Sequence, residues 1–158
     1  MNLLEMREAV CDDAADIQAL MREVFAQYAK DAGIKSGPAA LYETLEDIRE
    51  DIKNKIVLVA YVNGVIAGSV RLDKIGETTV YLSRLGIGEK FRKLGLGRTI
   101  MTMVDTILTE RGVKSIELHT ASKAAEQIAF YYRNGYYIHS TDTEKGYIRA
   151  KLVKDYNC

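Results

Sequence analysis

A β-branched stretch, a turn with two glycines and an amphipathic segment follow one another between Thr78 and Gly112, and no other part of the chain constrains the fold as strongly. Thr78-Thr79-Val80-Tyr81-Leu82-Ser83 has the composition of a strand. Ile100, Met101, Met103, Val104, Ile107 and Leu108 are spaced for one face of a helix that Gly112 ends. Arg92-Lys93-Leu94-Gly95-Leu96-Gly97 joins the two. A strand feeding a helix through such a turn makes an anion site. The first N–H groups of the helix have no partners, and the helix dipole adds roughly half a positive charge there. Gly95 and Gly97 carry no Cβ, so a phosphate can come close to the backbone, and Arg92 and Arg98 bracket the turn with fixed charge. The same two glycines could equally serve only to cap or pack the helix. Gly95-Leu96-Gly97-Arg98-Thr99-Ile100 lacks the third glycine of a dinucleotide fingerprint, and no GxxxxGK[ST] occurs in the chain.

The remaining segments fall into order around this unit. Asp12 or Asp13 can cap a first helix with apolar residues Ile17, Leu20, Met21, Val24, Phe25 and Tyr28 at helical spacing. Ala32 to Pro38 breaks it, and a second helix presents Leu41, Leu45, Ile48 and Ile52 as one stripe. Ile56–Val62 and Val65–Leu72 read as strands joined by Asn63-Gly64, a strong two-residue hairpin signal. Ser115–His119 fits a parallel strand reached by a right-handed crossover, followed by a helix over 122–134 that Gly135 ends. Tyr136–Ser140 and Tyr147–Val153 would close the sheet as a hairpin through Thr143-Glu144-Lys145-Gly146. The expected architecture is mixed α/β: a central mixed sheet with about four helices on its two faces.

Length and charge bound the function. A chain of 158 residues suits a single domain spanning 1–158. Lysine plus arginine equals aspartate plus glutamate at 22 each, so no overall field draws the chain to nucleic acid or an anionic membrane. Lys90, Arg92, Lys93 and Arg98 still form a local basic cluster beside the turn. The start, Met1-Asn2-Leu3-Leu4-Glu5, breaks into charge before a signal core can form, and no apolar run approaches the ~18 residues that span a bilayer. Cys11 and Cys158, the only cysteines, do not suggest a disulfide. A cytoplasmic location is expected, with a homodimer left open.

The Arg-x-x-Gly-x-Gly turn resembles the pyrophosphate loop of the GNAT acetyltransferase superfamily. Ala129-Phe130-Tyr131-Tyr132-Arg133-Asn134-Gly135-Tyr136 resembles that family's A-[LF]-Y-x-K-x-G-F segment, with Arg133 for lysine and Tyr136 for phenylalanine. Met6-Arg7-Glu8-Ala9 followed by Asp12-Asp13-Ala14-Ala15-Asp16-Ile17 is similar to its usual first strand and helix entry. One departure stands out: Ala124 occupies a position where many members carry asparagine.

The resemblance implies a partly splayed sheet and an acetyl-CoA-dependent N-acetyltransferase acting on a primary amine of a small molecule or a protein. No metal is expected, because His119 and His139 stand far from any ligand-spaced Cys, His or carboxylate cluster. The resemblance also implies that Leu85, Gly86 and Ile87 hold the pantetheine arm through backbone groups, with the Ile87 N–H as the best candidate to polarise the acetyl carbonyl. It implies that Arg92, Lys93, Leu94, Gly95, Leu96, Gly97, Arg98 and Thr99 bind the pyrophosphate. Tyr131 becomes the general acid for the departing thiolate, a role that suits a phenol with a pKa near ~10. No general base stands out. Tyr81 lies where some relatives carry a glutamate, Glu77 and Glu89 read as surface carboxylates, and His119 and His139 look isolated in sequence. Tyr132 is expected in the core, and Tyr28, Tyr42 and Tyr147 are candidates for the acceptor pocket. A non-catalytic acyl-CoA-binding sensor of the same fold is the alternative function.

Overall fold

The structure is a computed structural model that describes residues 3–35 and 37–156. Cys158, the first two residues of the expected polar start and Ser36 of the break between the first helices lie outside the described residues. Strands β1 (Leu4–Glu8), β2 (Ile56–Val62), β3 (Val65–Lys74), β4 (Thr79–Ile87), β5 (Ser115–Ala121), β6 (Tyr137–Asp142) and β7 (Arg149–Asp155) form one sheet. Its spatial order is β1-β2-β3-β4-β5-β7-β6. All neighbours run antiparallel except β4 and β5, which are parallel. Helices α1 (Ala14–Ala32), α2 (Leu45–Asn54), α3 (Leu96–Glu110) and α4 (Ala125–Arg133) complete the expected order.

Strand alternation sorts the core into two layers. Leu58, Ala60 and Val62 of β2 pack with Ile100, Met101, Val104 and Leu108 of α3 and with Tyr131 of α4. Val57 and Val59 point to the opposite face, where they meet Ile17, Leu20, Met21 and Val24 of α1 and Ile48 of α2. Asn63 and Gly64 both have positive φ, 51° and 80°, which is the geometry that a two-residue hairpin with the native twist requires.

Three local expectations change. Asp13 precedes α1 without capping it through its side chain. Its carboxylate instead takes Arg7 Nη1 and Nη2 at 2.8 and 3.0 Å and the Val10 N–H at 2.8 Å. Leu41 is not part of the second helix: it lies in a 3₁₀ turn, Ala39–Leu41. α2 begins later because Thr44 and Asp47 form a reciprocal cap, Asp47 N–H to Thr44 Oγ1 at 3.1 Å and Thr44 N–H to Asp47 Oδ2 at 2.9 Å. Tyr132 is 51% exposed rather than in the core. One step along α4 from Tyr131 is about 100° of rotation, which carries it off the buried stripe.

Candidate active site

β4 and β5 separate part-way along their length. Their register covers only Thr79↔Ser115, Val80↔Ile116 and Tyr81↔Glu117. Beyond it β5 stays paired with β7 as far as Ala121, while β4 from Leu82 to Ile87 has only β3 beside it. A bulge bends β4 at this point. Between Arg71 and Ser69 of β3 lies one residue, but between their partners Ser83 and Gly86 of β4 lie two, Arg84 and Leu85. Arg84 adopts φ 56°, a left-handed conformation that a non-glycine residue holds only when its surroundings compel it. The Glu43 carboxylate sits 3.5 Å from Arg84 Nε and also accepts from Arg71 Nη2 at 2.9 Å. Arg71 is itself fully buried and reaches Asp51 of α2 at 2.9 Å.

The far end of the gap is fixed from the other side. Tyr28 of α1 accepts the Ala121 N–H on its hydroxyl at 2.8 Å and lies 3.1 Å from Thr120 Oγ1. Ala29, Ala32, Ile34, Ala121 and Ala124 pack together there. Ala124 is therefore a packing residue, 3% exposed, and its small apolar side chain suits that seat. Between the two strands lies a cleft of about 240 Å³, whose lining includes Tyr28, Tyr81, Leu85, Arg92, His119, Tyr131 and Tyr147. Tyr42 lines a second, more open depression with Glu43, Asp47 and Glu50.

At one mouth of the gap the chain turns into α3. A 3₁₀ turn, Glu89–Leu94, ends on Gly95 at φ 70°, and α3 starts at the next residue. Thr99 N–H donates to the Gly95 carbonyl at 3.2 Å, so the amides of Leu96, Gly97 and Arg98 precede the helical ladder. The Thr99 hydroxyl donates to that same carbonyl at 3.2 Å. Lys90, Arg92, Lys93 and Arg98 are exposed around the turn, and the Arg92 Nε–H also donates to the Ile87 carbonyl at 3.3 Å. Leu94 is exposed, whereas Leu96 is buried in the core and offers the turn only its backbone. The two glycines differ. A Cβ on Gly95 would meet nothing within 4 Å, so its backbone conformation is what excludes other residues. A Cβ on Gly97 would stand 3.0 Å from the Phe130 ring, so that glycine also serves helix packing.

Two tyrosines enter the cleft from opposite faces of the sheet. Tyr131 belongs to the layer of Val80, Leu82 and α3, is 7% exposed, and stacks edge-on to Phe130 and Tyr136 with centroids 5.3 and 5.4 Å away. Burial pushes its phenol well above the ordinary tyrosine range, so it keeps its proton at neutral pH. Tyr81 alternates with Val80 and Leu82 and so lies on the α1–α2 face. Its hydroxyl is 2.6 Å from Nδ1 of His119, which corrects the view of His119 as isolated. His119 Nε2 faces Asp142 Oδ2 at 3.7 Å, and Asp142 accepts from Arg149 Nε at 2.8 Å. Burial lowers the His119 pKa, and Arg149 lowers it further; together they outweigh the opposing pull of Asp142. The sequence hides this contact, because Tyr81 and His119 are 38 residues apart and meet only through the parallel register of β4 and β5. Among the described residues, no group of three or more His, Cys, Asp or Glu side chains is arranged to hold a metal ion.

Comparison with known proteins places these features in a wider set. The family model described as "Acetyltransferase (GNAT) family" matches residues 21–136. A Bacillus subtilis (strain 168) protein named as an acetyltransferase is 34% identical over 79 residues, 50% of this chain and 51% of its own length. The matched stretch thus spans about half of that relative. A second protein of the same organism, YyaT, is 31% identical over 115 residues, 72% of this chain and 73% of its own. Among solved structures, the PaiA N-acetyltransferase of Thermoplasma acidophilum in complex with coenzyme A superposes with a TM-score of 0.85 at 20% identity, covering 98% of this chain and 99% of that one.

Proposed function

The chain belongs to the GNAT family of acetyltransferases, and from that premise we propose that it transfers an acetyl group from acetyl-CoA to a primary amine of a small molecule or a peptide. The observation that carries the reading is the gap that opens in the sheet after Tyr81, beside the turn into α3. A thioester with a long amide-bearing arm needs a place where backbone groups stand without partners, and β4 from Leu82 to Ile87 supplies an edge of that kind. Its pyrophosphate needs unpaired amides and positive charge, for which Gly95, Leu96, Gly97 and Arg98 at the α3 N-terminus, with Arg92 and Lys93 exposed nearby, are suited. The bound complex of the Thermoplasma acidophilum protein with coenzyme A supports the same choice of ligand.

Acetyl-CoA would supply an activated acetyl group and a thiolate leaving group. Leu85, Gly86 and Ile87 hold the arm, and a backbone N–H of this edge, Ile87 first among them, polarises the carbonyl oxygen. Tyr131 donates its proton to the sulfur as the carbon–sulfur bond breaks, a role suited to a phenol that burial keeps protonated. The acceptor enters between the C-terminal end of α1 and the β6–β7 loop, past Tyr28 and Tyr147.

The test is thiol release from acetyl-CoA over a panel of amines: a polyamine, an aminoglycoside, a free amino acid and a peptide with a free N-terminus. Release that depends on one of them, with the acetylated amine found by mass spectrometry, supports the proposal. Tight acetyl-CoA binding with no release for any amine replaces it with the non-catalytic sensor.

A further inference from the structure

We propose that Tyr81 and His119 act together as the proton acceptor for the incoming amine, with Tyr81 meeting the amine and His119 receiving the proton through it. The inference rests on the acetyltransferase reading and adds the base for which the chain has no carboxylate at the usual place. An amine that forms a bond to the acetyl carbon must shed a proton, and a group on the acceptor side of the cleft has to take it. Both side chains line the cleft, on the face opposite the layer that contains Tyr131. Acid and base therefore approach the reacting centre from different sides of the sheet.

The charges around the ring favour transfer from Tyr81 to His119. The Tyr81 hydroxyl and His119 Nδ1 are 2.6 Å apart, a short hydrogen bond. Asp142 stands on the other side of the ring, 3.7 Å from Nε2, and favours the tautomer with its proton on Nε2. Nδ1 then has a free lone pair and accepts from Tyr81. The charged groups around the ring are Asp142 from β6, Arg149 and Lys151 from β7 and Glu117 from β5 itself, while β4 contributes the neutral Tyr81 phenol. They are paired with one another, Arg149 with Asp142 at 2.8 Å and Lys151 with Glu117 at 3.3 Å. The ring sits between two neutralised pairs, and burial keeps it uncharged at pH 7. Burial raises the Tyr81 pKa and keeps its phenol protonated at pH 7, so it can take the amine's proton only by passing its own to His119.

The step balances. As the amine nitrogen bonds to the acetyl carbon, one N–H bond breaks and its electron pair stays on nitrogen. The proton moves to the Tyr81 oxygen while the Tyr81 O–H proton moves to Nδ1. Tyr81 ends neutral and His119 ends as an imidazolium facing Asp142. The side chain of His119 is 20% exposed, which gives the proton a path to solvent.

The experiment has two arms. In the first, ring-nitrogen NMR of labelled wild-type protein at pH 7 should show His119 with Nδ1 unprotonated and Nε2 protonated, titrating below 6.5. A proton resident on Nδ1 overturns the proposal without any variant being made. In the second, kcat and KM are measured across pH for wild type, His119→Gln, Tyr81→Phe and the double variant, with acetyl-CoA and the fastest amine of the panel above. Each single change should lower kcat roughly 10²-fold with the acetyl-CoA KM nearly unchanged, and the double variant should be no slower than either. The acidic limb of the wild-type profile should vanish in His119→Gln, while the limb set by the amine's own ionisation stays. Thermal melts establish that each variant is folded. If wild type acetylates an amine and His119→Gln keeps rate and acidic limb, or the two losses multiply, the pair is not the acceptor, although the acetyltransferase reading stands. If wild type acetylates no amine, both readings fall.

Discussion

β4 is one strand with two kinds of neighbour. Thr79, Val80 and Tyr81 pair with β5, alternate regularly and anchor the sheet. Leu82 to Ile87 lose β5, carry a bulge and put Arg84 at a positive φ. The difference is built by side chains remote from the gap. Arg71, fully buried, forms a partly buried ionic cluster with Glu43 and Asp51 behind the bulge, while Tyr28 ties the end of β5 to α1. A buried ion cluster is weak as a source of stability and better suited to fixing a conformation that the backbone would not choose. Here it holds an irregular half-strand beside a regular one. The regular half has a strand on each side, and the irregular half has one edge without a strand partner.

The contrast can be sharpened first through Tyr131. If the open half is where chemistry happens, Tyr131→Phe should lower kcat by about 10²- to 10⁴-fold and leave acetyl-CoA affinity nearly unchanged. Steady-state kinetics beside calorimetric titration measure both. Equal rates would leave the buried phenol a packing residue. Breaking the support of the bulge comes next. Arg71→Ala removes the buried cation that Glu43 and Asp51 share and leaves them only Arg84 at 3.5 Å and Lys55 at 3.3 Å, so it should cost about 3 kcal/mol and lower Tm by roughly 10 °C. Denaturant unfolding reads the cost, and a loss within ~0.5 kcal/mol would mean that the cluster supports nothing. Arg92→Ala should have the smallest effect. Its exposed guanidinium is screened by water and salt, so acetyl-CoA binding should weaken only about 3- to 5-fold, less at high ionic strength. A hundredfold loss would show that the Arg92 contact with the Ile87 carbonyl holds the open edge in shape.

The two halves of β4 also differ in how far sequence reveals them. The regular half was legible: Thr79-Val80-Tyr81 reads as strand, and Asn63-Gly64 sets the hairpin before it. The turn into α3 was legible too, because Gly95, Leu96 and Gly97 sit between two strongly patterned segments. The bulge at Arg84 carries no local signal, since nothing about an arginine in a strand announces a left-handed backbone. The carboxylate that faces it, Glu43, is far away in sequence. Tyr81 and His119 escaped for a related reason. Alternation tells which face a strand residue takes, but not which residue of a non-adjacent strand stands opposite. Spacing alone puts Leu41 on a helical stripe, whereas the Thr44–Asp47 cap, readable as a start signal three residues on, begins the helix after it.

The central claim is that the unpaired half of β4 and the turn into α3 bind acetyl-CoA. Amide hydrogen exchange with and without acetyl-CoA tests it residue by residue. The account predicts that protection rises at amides between Ser83 and Ile87 and at Gly95, Leu96, Gly97 and Arg98, while Thr79 to Tyr81 and Ser115 to Glu117 exchange as before. Protection that appears instead around Tyr42, Glu43 and Glu50, or none at all under saturating acetyl-CoA, would contradict it.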